Sequence, residues 1–433
     1  MENVIASNKR RRRGLEIAAL LVATALCSGA SALPNKTQSD PVSALVDVPI
    51  RTDFGLPLVE LEIRGAKGSE RGLFILDTGF GVNIIDAAWA AKLGVSIDNP
   101  QKVLQPGGEV EMGAVPELKV RIGEMEVSGQ SAHSAPLAQL RSIVGLPVRG
   151  LIGHDLLDDY VVRIQYQSNR LQLFPIDADF SSLEPDAGWG EVPVEIRDGE
   201  VLAGFSIRQA DEVEHAGQIK VDTGSITGLG FALNFYEDAQ LQRTAPDYRT
   251  TGGIGAGGET EGRLFRVDAL RFAGRNYEDV PAGVTMAAAG TERRDNAGTL
   301  GAPILARQDL VLDYAKGRIL FGPEYAPNSP IADDMSGLWL VTNATDFSVI
   351  RVHQVLDGSP AQDSGVKAGD RVLSIDGVEA SQRSLSQWRQ RLQGPVGESV
   401  RVRYERGGKA RDTEFKLKSL YKKAKKKQKR GRR

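Results

Sequence analysis

Two aspartates, Asp77 and Asp222, are the residues of this sequence best suited to chemistry. Each follows a run that predicts a β-strand, LFIL before Asp77 and QIKV before Asp222, and each is followed by Thr-Gly. Two carboxylates that share one proton and one water molecule can split a peptide bond. The charged one acts as a base on the water while the protonated one polarises the carbonyl group. A single Asp-Thr-Gly has a simpler interpretation as a turn, since Asp and Gly are turn formers.

The surroundings of the two aspartates repeat as well. Upstream, DVPI at 47–50 matches EVPV at 191–194. Downstream, a pair of glycines follows at the same distance from each aspartate: Gly107 and Gly108 in the first copy, Gly252 and Gly253 in the second. The two Asp-Thr-Gly motifs lie 145 positions apart, so the chain contains a duplicated unit. A pseudo-twofold arrangement of the two copies would bring the aspartates together.

These paired motifs resemble those of the aspartic proteases, over roughly residues 45–325. The segment LIGHDLL at 151–157 is especially similar to the retroviral-type lobe, and both copies are shorter than pepsin-like lobes. The resemblance implies a mainly β fold with two pseudo-symmetric β-barrel lobes and a cleft that binds an extended polypeptide. It also implies the site residues, namely Asp77 and Asp222 as the catalytic pair, Thr78, Gly79, Thr223, Gly224 and Ser225 as their support, and Gly107, Gly108, Gly252 and Gly253 in hairpins over the substrate.

The residues around the aspartates carry more detailed expectations. The hydroxyls of Thr78 and Thr223 would brace the two turns across the interface, while the glycines let backbone amides approach the carboxylates. One position departs from the family pattern, because Phe80 follows the first motif where Ser225 follows the second. We therefore expect the first aspartate to lack a hydroxyl that Ser225 offers the second, which would move catalysis toward less acidic pH. The alternative is that Phe80 packs beneath the hairpin or lines the substrate groove.

A second resemblance follows the proline-rich stretch 323–334. The segment GSPAQDSGVKAGDRVLSIDGVEA at 358–380 is similar to the signature of PDZ domains, and SGLWL at 336–340 looks like their carboxylate-binding loop. This resemblance covers about 85 residues and implies a domain that holds a peptide or protein terminus by adding it to a sheet as a strand. The implied peptide-binding residues are Gly337, Leu338, Trp339 and Trp388. For the two tryptophans, a place in the domain core is an equally good interpretation.

The N-terminal segment predicts export. Residues 9–13 are basic, 17–27 are apolar and 30–32 (ASA) offer a cleavage site, as in a secretory signal peptide; the alternative is an uncleaved membrane anchor. The only cysteine, Cys27, lies in this segment, so the mature chain would use no disulfide or thiol chemistry. The predicted order is a signal peptide at 1–32, a linker at 33–44, protease lobe 1 at 45–180, protease lobe 2 at 181–325, a PDZ domain at 332–420 and a basic tail at 421–433.

Composition and the remaining motifs exclude several functions. The formal net charge is −2, yet residues 422–433 hold nine basic side chains and no acidic ones. The rest of the chain is therefore acidic, and we expect no specific nucleic-acid partner. The tail is a solvated end or binds anionic lipid or envelope polymer. The four histidines lack metal-ligand spacing and the glycine-rich stretch 252–258 lacks the Gly-Lys-Ser/Thr of a phosphate loop, so we predict no metal and no cofactor.

These expectations combine in one hypothesis. The chain would be an exported aspartic endopeptidase, periplasmic, cell-envelope-associated or secreted, with an Asp77/Asp222 dyad and a PDZ domain that recruits substrate or restrains the protease. The alternative is a catalytically weak or inactive protease-fold protein that acts as a PDZ adaptor in the cell envelope. The presence of both aspartates favours the enzyme.

Overall fold

The computed structural model describes residues 43–181, 188–209, 211–245, 249–255, 258–287 and 292–421. These residues form a mainly β protein, which confirms the predicted fold class. The predicted signal peptide, nearly all of the linker after it and the basic residues of the tail lie outside the described residues. In the described part of the chain, the helices are too short or too polar to cross a membrane.

The first lobe consists of ten strands and three short helices. Its strands are β1 (Val46–Asp53), β2 (Leu56–Gly65), β3 (Gly68–Leu76), β4 (Ile84–Asp86), β5 (Asp98–Gln105), β6 (Gly108–Ile122), β7 (Met125–Ala135), β8 (Val148–Ile152), β9 (Val161–Gln165) and β10 (Arg170–Phe174). Its helices are α1 (Ala87–Leu93), α2 (Ala138–Val144) and α3 (His154–Leu157).

The second lobe again has ten strands and three helices among its described residues. The strands are β11 (Gly190–Arg197), β12 (Glu200–Arg208), β13 (Glu214–Asp222), β14 (Leu229–Phe231), β15 (Arg249–Gly255), β16 (Gly258–Phe272), β17 (Arg275–Ala287), β18 (Gly298–Gly301), β19 (Leu310–Asp313) and β20 (Arg318–Phe321). The helices are α4 (Leu233–Asp238), α5 (Leu241–Thr244) and α6 (Ala302–Leu305), and a 3-10 turn follows at Tyr314–Lys316.

The two lobes share one topology. In each lobe the third strand runs parallel to the eighth, β3 beside β8 and β13 beside β18, and the fourth runs parallel to the seventh. The fifth and sixth strands form a long hairpin in both lobes. Strand β9 pairs antiparallel with β19 and joins the lobes in one sheet. The strand that delivers each aspartate therefore occupies the same place in both copies.

Local sequence explains much of the first lobe. In β2, Val59, Leu61 and Ile63 are buried, whereas Glu60 and Arg64 are exposed and Glu62 is partly buried, so the strand presents one face to the core. Asp86 caps α1 by accepting from the Trp89 amide at 3.0 Å. The stretch 129–149 shows no clear period in the sequence, and the structure places the end of β7, α2 and the start of β8 there.

The C-terminal module forms its own sheet in the order β21, β22, β23, β25 and β26, with β24 beside β23. Its strands are β21 (Leu338–Thr342), β22 (Ile350–Val355), β23 (Arg371–Ile375), β24 (Val378–Glu379), β25 (Ser399–Arg406) and β26 (Lys409–Lys416). Its helices are α7 (Pro360–Asp363), the 3-10 turn Ala380–Gln382 and α8 (Leu385–Leu392). A capping box formed by Ser384 and Gln387 begins α8.

Candidate active site

Strands β3 and β13 each bring one aspartate to the interface between the lobes. Asp77 follows β3 directly and Asp222 ends β13. A Cβ atom on Gly79 would lie 2.2 Å from Cγ of Asp222, and one on Gly224 would lie 2.3 Å from Cγ of Asp77. Only glycine permits such an approach. Each carboxyl group therefore lies against the turn of the opposite lobe, and the two Asp-Thr-Gly segments form a single site.

The threonines of the two turns are bonded reciprocally. The Thr78 hydroxyl donates to the Val221 carbonyl at 2.7 Å and accepts from the Thr223 amide at 3.0 Å. The Thr223 hydroxyl donates to the Leu76 carbonyl at 2.7 Å and accepts from the Thr78 amide at 3.2 Å. Both threonines are fully buried. These four bonds hold the two turns in a fixed position relative to each other, as the sequence predicts for the two hydroxyls.

The environment of the two carboxyls favours a shared proton. Asp77 and Asp222 are both buried, and the Gly79 amide donates to Oδ1 of Asp77 at 2.9 Å. Burial, together with the facing Asp222 carboxylate, raises the pKa of Asp77 well above its ordinary value. Oδ1 of Asp222 is buried without a hydrogen-bond donor among the described residues. One proton held between the two carboxyls relieves both the repulsion and the missing donor, and the pair then titrates as a unit.

A lysine beside the dyad breaks the symmetry of the site. Nζ of Lys220 lies 3.4 Å from Oδ2 of Asp222 and 3.4 Å from Oε1 of Glu200, and it donates to the Gly79 carbonyl at 3.1 Å. Only 12% of its side chain is exposed. The equivalent residue in the first lobe, two positions before its aspartate, is the fully buried Ile75. The second lobe therefore contributes a positive charge directly beside the dyad, where the first lobe has an apolar side chain.

The residues after the two motifs correct a sequence-based expectation. Oγ of Ser225 accepts from the Thr227 amide at 3.2 Å, and no bond from it to the aspartate occurs among the described residues. Phe80 is half-buried and packs against a cluster that includes Val110 of β6. The expected difference in hydroxyl donation to the two aspartates is therefore absent. The alternative placement of Phe80 beneath the hairpin is the one observed.

The two long hairpins meet at their tips. Gly107, at the tip of the β5–β6 hairpin, lies so close to Gly258 of the β15–β16 hairpin that a Cβ on Gly107 would be 2.3 Å from the Gly258 carbonyl oxygen. Both glycines have positive φ angles, +95° and +142°, which other residues rarely adopt. Gly108 begins β6, and Gly252 and Gly253 lie within β15. The four glycines predicted to lie in hairpins are thus found in the β5–β6 and β15–β16 hairpins.

A cavity of about 680 Å³ extends from the dyad to the C-terminal module. Its walls come from three places: Lys220 and Asp222 at the dyad, Pro106 and Gly252 on the hairpins, and Trp339 and Gln354 on the module. Oε1 of Gln354 accepts from the Gly252 amide at 3.1 Å. A side chain of the module therefore holds the hairpin of the second lobe, and the module forms part of the wall beside the dyad.

Comparison with known proteins supports both resemblances. Residues 59–156 match the family model of aspartyl proteases, and residues 351–406 match that of PDZ domains. The chain carries an aspartyl protease domain and a C-terminal PDZ domain. It is also similar to the crystal structure of basic 7S globulin from soybean, with 13% identity over 65% of this chain and 95% of that chain and a TM-score of 0.35. None of the curated proteins matches the chain.

The two PDZ tryptophans have different positions. Trp388 on α8 is fully buried and its indole nitrogen donates to the Ala380 carbonyl at 2.9 Å. The prediction that Trp388 contacts a peptide is wrong for its side chain, because the ring fills the space between helix and sheet; the alternative placement in the core is observed. Trp339 on β21 is partly buried, stacks edge-on with His353 at 4.9 Å between ring centres and lines the cavity.

The edge of β21 to which a peptide would add is already engaged. β21 is the outermost strand of the PDZ sheet. The Leu340 carbonyl accepts from Nη2 of Arg389 on α8 at 2.7 Å. Two residues further, the Thr342 carbonyl accepts from the Ser142 hydroxyl of α2, and Oγ1 of Thr342 donates to the Ser142 carbonyl at 3.3 Å. Helix α2 of the first lobe therefore covers the far end of the groove between β21 and α8.

The side chain of Asp334, which precedes the predicted carboxylate-binding loop, accepts hydrogen bonds from the residues of that loop. The Gly337 amide donates to Oδ2 of Asp334, and the Ser336 amide and hydroxyl donate to Oδ1. The Leu338 amide donates to the Ser336 hydroxyl at 3.0 Å. Burial raises the pKa of Asp334 to about 6. In this conformation Gly337 and Leu338 thus donate their amide hydrogens within the chain.

Sequence reasoning missed the residues that connect the parts of the site. These are Lys220 beside the dyad, Gln354 on the hairpin, Asp334 beside the loop and Ser142 of α2 on β21. For Lys220 a sequence feature was available: residues two apart in a strand lie on one face, so a lysine at this position lies on the side of Asp222. The bonds of Gln354 and Ser142 join segments far apart in the chain, whereas Asp334 bonds to residues two and three positions further along the chain.

Proposed function

We propose that this protein is an endopeptidase that hydrolyses peptide bonds with the Asp77/Asp222 dyad and an activated water molecule. The observation that carries the proposal is the pair of facing, buried carboxyls held by reciprocal threonine bonds at one end of a cavity. A dyad with one shared proton has both partners that the reaction needs, a base and an acid.

The chemistry uses the dyad as a unit. The charged carboxylate removes a proton from water while the oxygen of that water attacks the carbonyl carbon of the scissile bond. The protonated carboxyl donates to the carbonyl oxygen, which gives a tetrahedral diol. When the diol collapses, one of its hydroxyl groups returns a proton to the charged carboxylate, the carbon–nitrogen bond breaks and the amine leaves with the proton of the other carboxyl. The dyad by itself assigns neither role to one aspartate, because coupled groups share their protons.

Substrate binding follows from the cleft. An extended polypeptide would lie beneath the touching hairpin tips of Gly107 and Gly258 and run along the cavity toward the PDZ wall. The two hairpins would have to separate for a long chain to enter. No cofactor is needed for this reaction, because the dyad and water supply the base, the acid and the nucleophile.

The PDZ domain would bind a peptide or protein terminus by strand addition to β21 and recruit it to the protease. An incoming strand would replace the bonds that Arg389 and Ser142 make with the β21 carbonyls. Export to the periplasm, cell envelope or medium is supported by the basic and apolar segments within residues 1–32, and the basic tail would attract anionic lipid or envelope polymer.

The test is cleavage of a denatured protein from acidic to neutral pH, with and without a transition-state-mimicking inhibitor of aspartic proteases. We expect inhibitor-sensitive cleavage by the natural sequence and none by the Asp77→Asn variant. If the folded protein cleaves nothing but still binds peptide termini, it is an adaptor with a protease fold.

A further inference from the structure

The strongest unexplained feature of the site is a charged side chain where the duplicated fold requires only an apolar one. Lys220 and Ile75 occupy the same strand position in the two lobes, opposite Leu202 and Leu58 of the neighbouring strands. Ile75 is fully buried in an apolar cluster that includes Val144 of α2. The strand therefore forms without a lysine, and the lysine needs a different explanation.

The contacts of Lys220 point to the dyad. Its ammonium nitrogen is 3.4 Å from Asp222 Oδ2, and it also binds the Gly79 carbonyl, which lies in the turn of the other aspartate. It thus contacts both Asp-Thr-Gly turns. Glu200 on β12, 3.4 Å away, is its second anionic partner, and Oε2 of Glu200 accepts from Asn296 at 3.0 Å.

We propose that Lys220 is a positioning residue that sets the ionisation of the dyad and determines which of its two carboxyls carries the proton. The proposal rests on the proposed function. With an ammonium group on the Asp222 side, the single negative charge is stabilised there, and the proton is favoured on Asp77. The dyad then keeps its working charge in more acidic solution than an equivalent dyad with an apolar neighbour.

Other charges around the site do not provide this effect. Asp222 and Glu200 lie beside Lys220, and Asp77 faces Asp222 with Tyr314 beyond it. The other charged groups of the cavity wall are Glu261, Arg263, Glu292, Arg294, Asp334 and Arg389. Burial raises the pKa of Tyr314, so it is neutral. The Lys220 charge acts against the burial that raises the pKa of Asp77. Among these groups, Lys220 is the cation within 4 Å of a dyad oxygen in the described structure.

The sign of the effect follows from the charge. A cation beside a carboxyl pair favours the form with one negative charge over the fully protonated form. Replacing Lys220 by methionine removes that cation and leaves Glu200 near the dyad, so the dyad should take up its second proton at higher pH. Replacing Glu200 by glutamine removes a neighbouring anion and should have the opposite effect.

The experiment compares the pH profiles of kcat/KM for one peptide in three variants. We expect Lys220→Met to move the acidic limb upward by about one pH unit or more, Lys220→Arg to restore it nearly to the natural position, and Glu200→Gln to move it downward. A Lys220→Met profile that is lower at every pH with an unmoved limb would overturn the proposal, because that is the result of a purely structural role.

A second measurement does not depend on turnover. Titration of the aspartate carboxyls by ¹³C NMR, with Asp222→Asn to identify the dyad resonances, reports the ionisation directly. We expect the dyad to take up its second proton at higher pH in Lys220→Met than in the natural protein, and at nearly the same pH in Lys220→Arg. If the natural protein cleaves no peptide, the proposed function fails, and this titration still decides the inference about Lys220. Unchanged dyad titration in a folded Lys220→Met variant would refute it.

Discussion

The two Asp-Thr-Gly turns share a backbone but differ in the residues that surround them. Ile75 in the first lobe lies in an apolar cluster with α2, whereas Lys220 in the second lobe lines the cavity. After the aspartates, Phe80 packs against apolar residues of the first hairpin, whereas Ser225 bonds within its own turn. The Asp-Thr-Gly turns, which the two lobes share, hold the carboxyls together. The residues beside the turns differ, so the second lobe supplies the positive charge of Lys220 and the first lobe supplies apolar packing.

The same division extends to the PDZ domain. The first lobe contacts it through α2, which bonds to Thr342 and whose C-terminal Gly145 lies against Leu385. The second lobe contacts it through its hairpin, where Gln354 accepts from Gly252. In the described residues between β17 and β18 of the second lobe, no helix equivalent to α2 occurs. The two copies of one fold therefore reach the same partner by different elements.

The largest expected effect comes from the part that the lobes share. Asp77→Asn and Asp222→Asn should each abolish hydrolysis, because a single carboxyl cannot supply both base and acid. The double variant should be no worse than either single variant, since the two groups act as one unit. Single-turnover assays with folded proteins, checked by circular dichroism, measure this. Near-normal turnover in either single variant would contradict the dyad.

The threonine bonds should be equivalent in the two lobes. Thr78→Val and Thr223→Val keep the side-chain shape but leave a buried carbonyl and a buried amide without partners. Each should lower the free energy of unfolding by about 2 kcal/mol or more. Urea denaturation measures the loss. The double variant should lose less than the sum, because both hydroxyls join the same two turns; additive or very unequal losses would show that the two sides are independent.

Substitutions of Phe80 test whether this position acts on the dyad through packing or through electrostatics. Phe80→Ala should lower kcat/KM several-fold at every pH, because the hairpin loses its contact near Val110. Phe80→Ser should leave the acidic limb in place, since the equivalent Ser225 hydroxyl bonds to the Thr227 amide. The pH profile of kcat/KM for one peptide measures both. A downward shift of the limb in Phe80→Ser would restore a role for hydroxyl donation to the first aspartate.

The smallest effect is expected where the PDZ domain meets the hairpin. Gln354→Ala removes the acceptor of the Gly252 amide and should raise KM about two- to three-fold, the equivalent of one modest hydrogen bond. Steady-state kinetics with a short peptide measure KM and kcat separately. Gln393→Ala, which alters the same cavity wall without a described bond to the hairpin, is the matched control. Equal effects of both would mean that the hairpin is not held by Gln354.

The sequence by itself determined the local elements and the duplicated motif. Strand alternation in β2, the Asp86 cap of α1 and the two Asp-Thr-Gly turns follow from residues close together in the chain. Hydrophobic periodicity and helix-capping residues depend on neighbours within a short stretch of sequence, so they can be identified without the structure. The reciprocal threonine bonds could be predicted as well, because the repeat implied that the turns would meet.

Only the tertiary structure decided which distant groups share the site. It placed Glu200 beside Lys220, seated α2 against β21, buried Trp388 and turned the Ser225 hydroxyl toward its own backbone. The contact of α2 with β21, for example, depends on how segments two hundred positions apart pack together. Strand periodicity does not specify that packing, because the same strand position holds an apolar residue in one lobe, Ile75, and a charged residue in the other, Lys220.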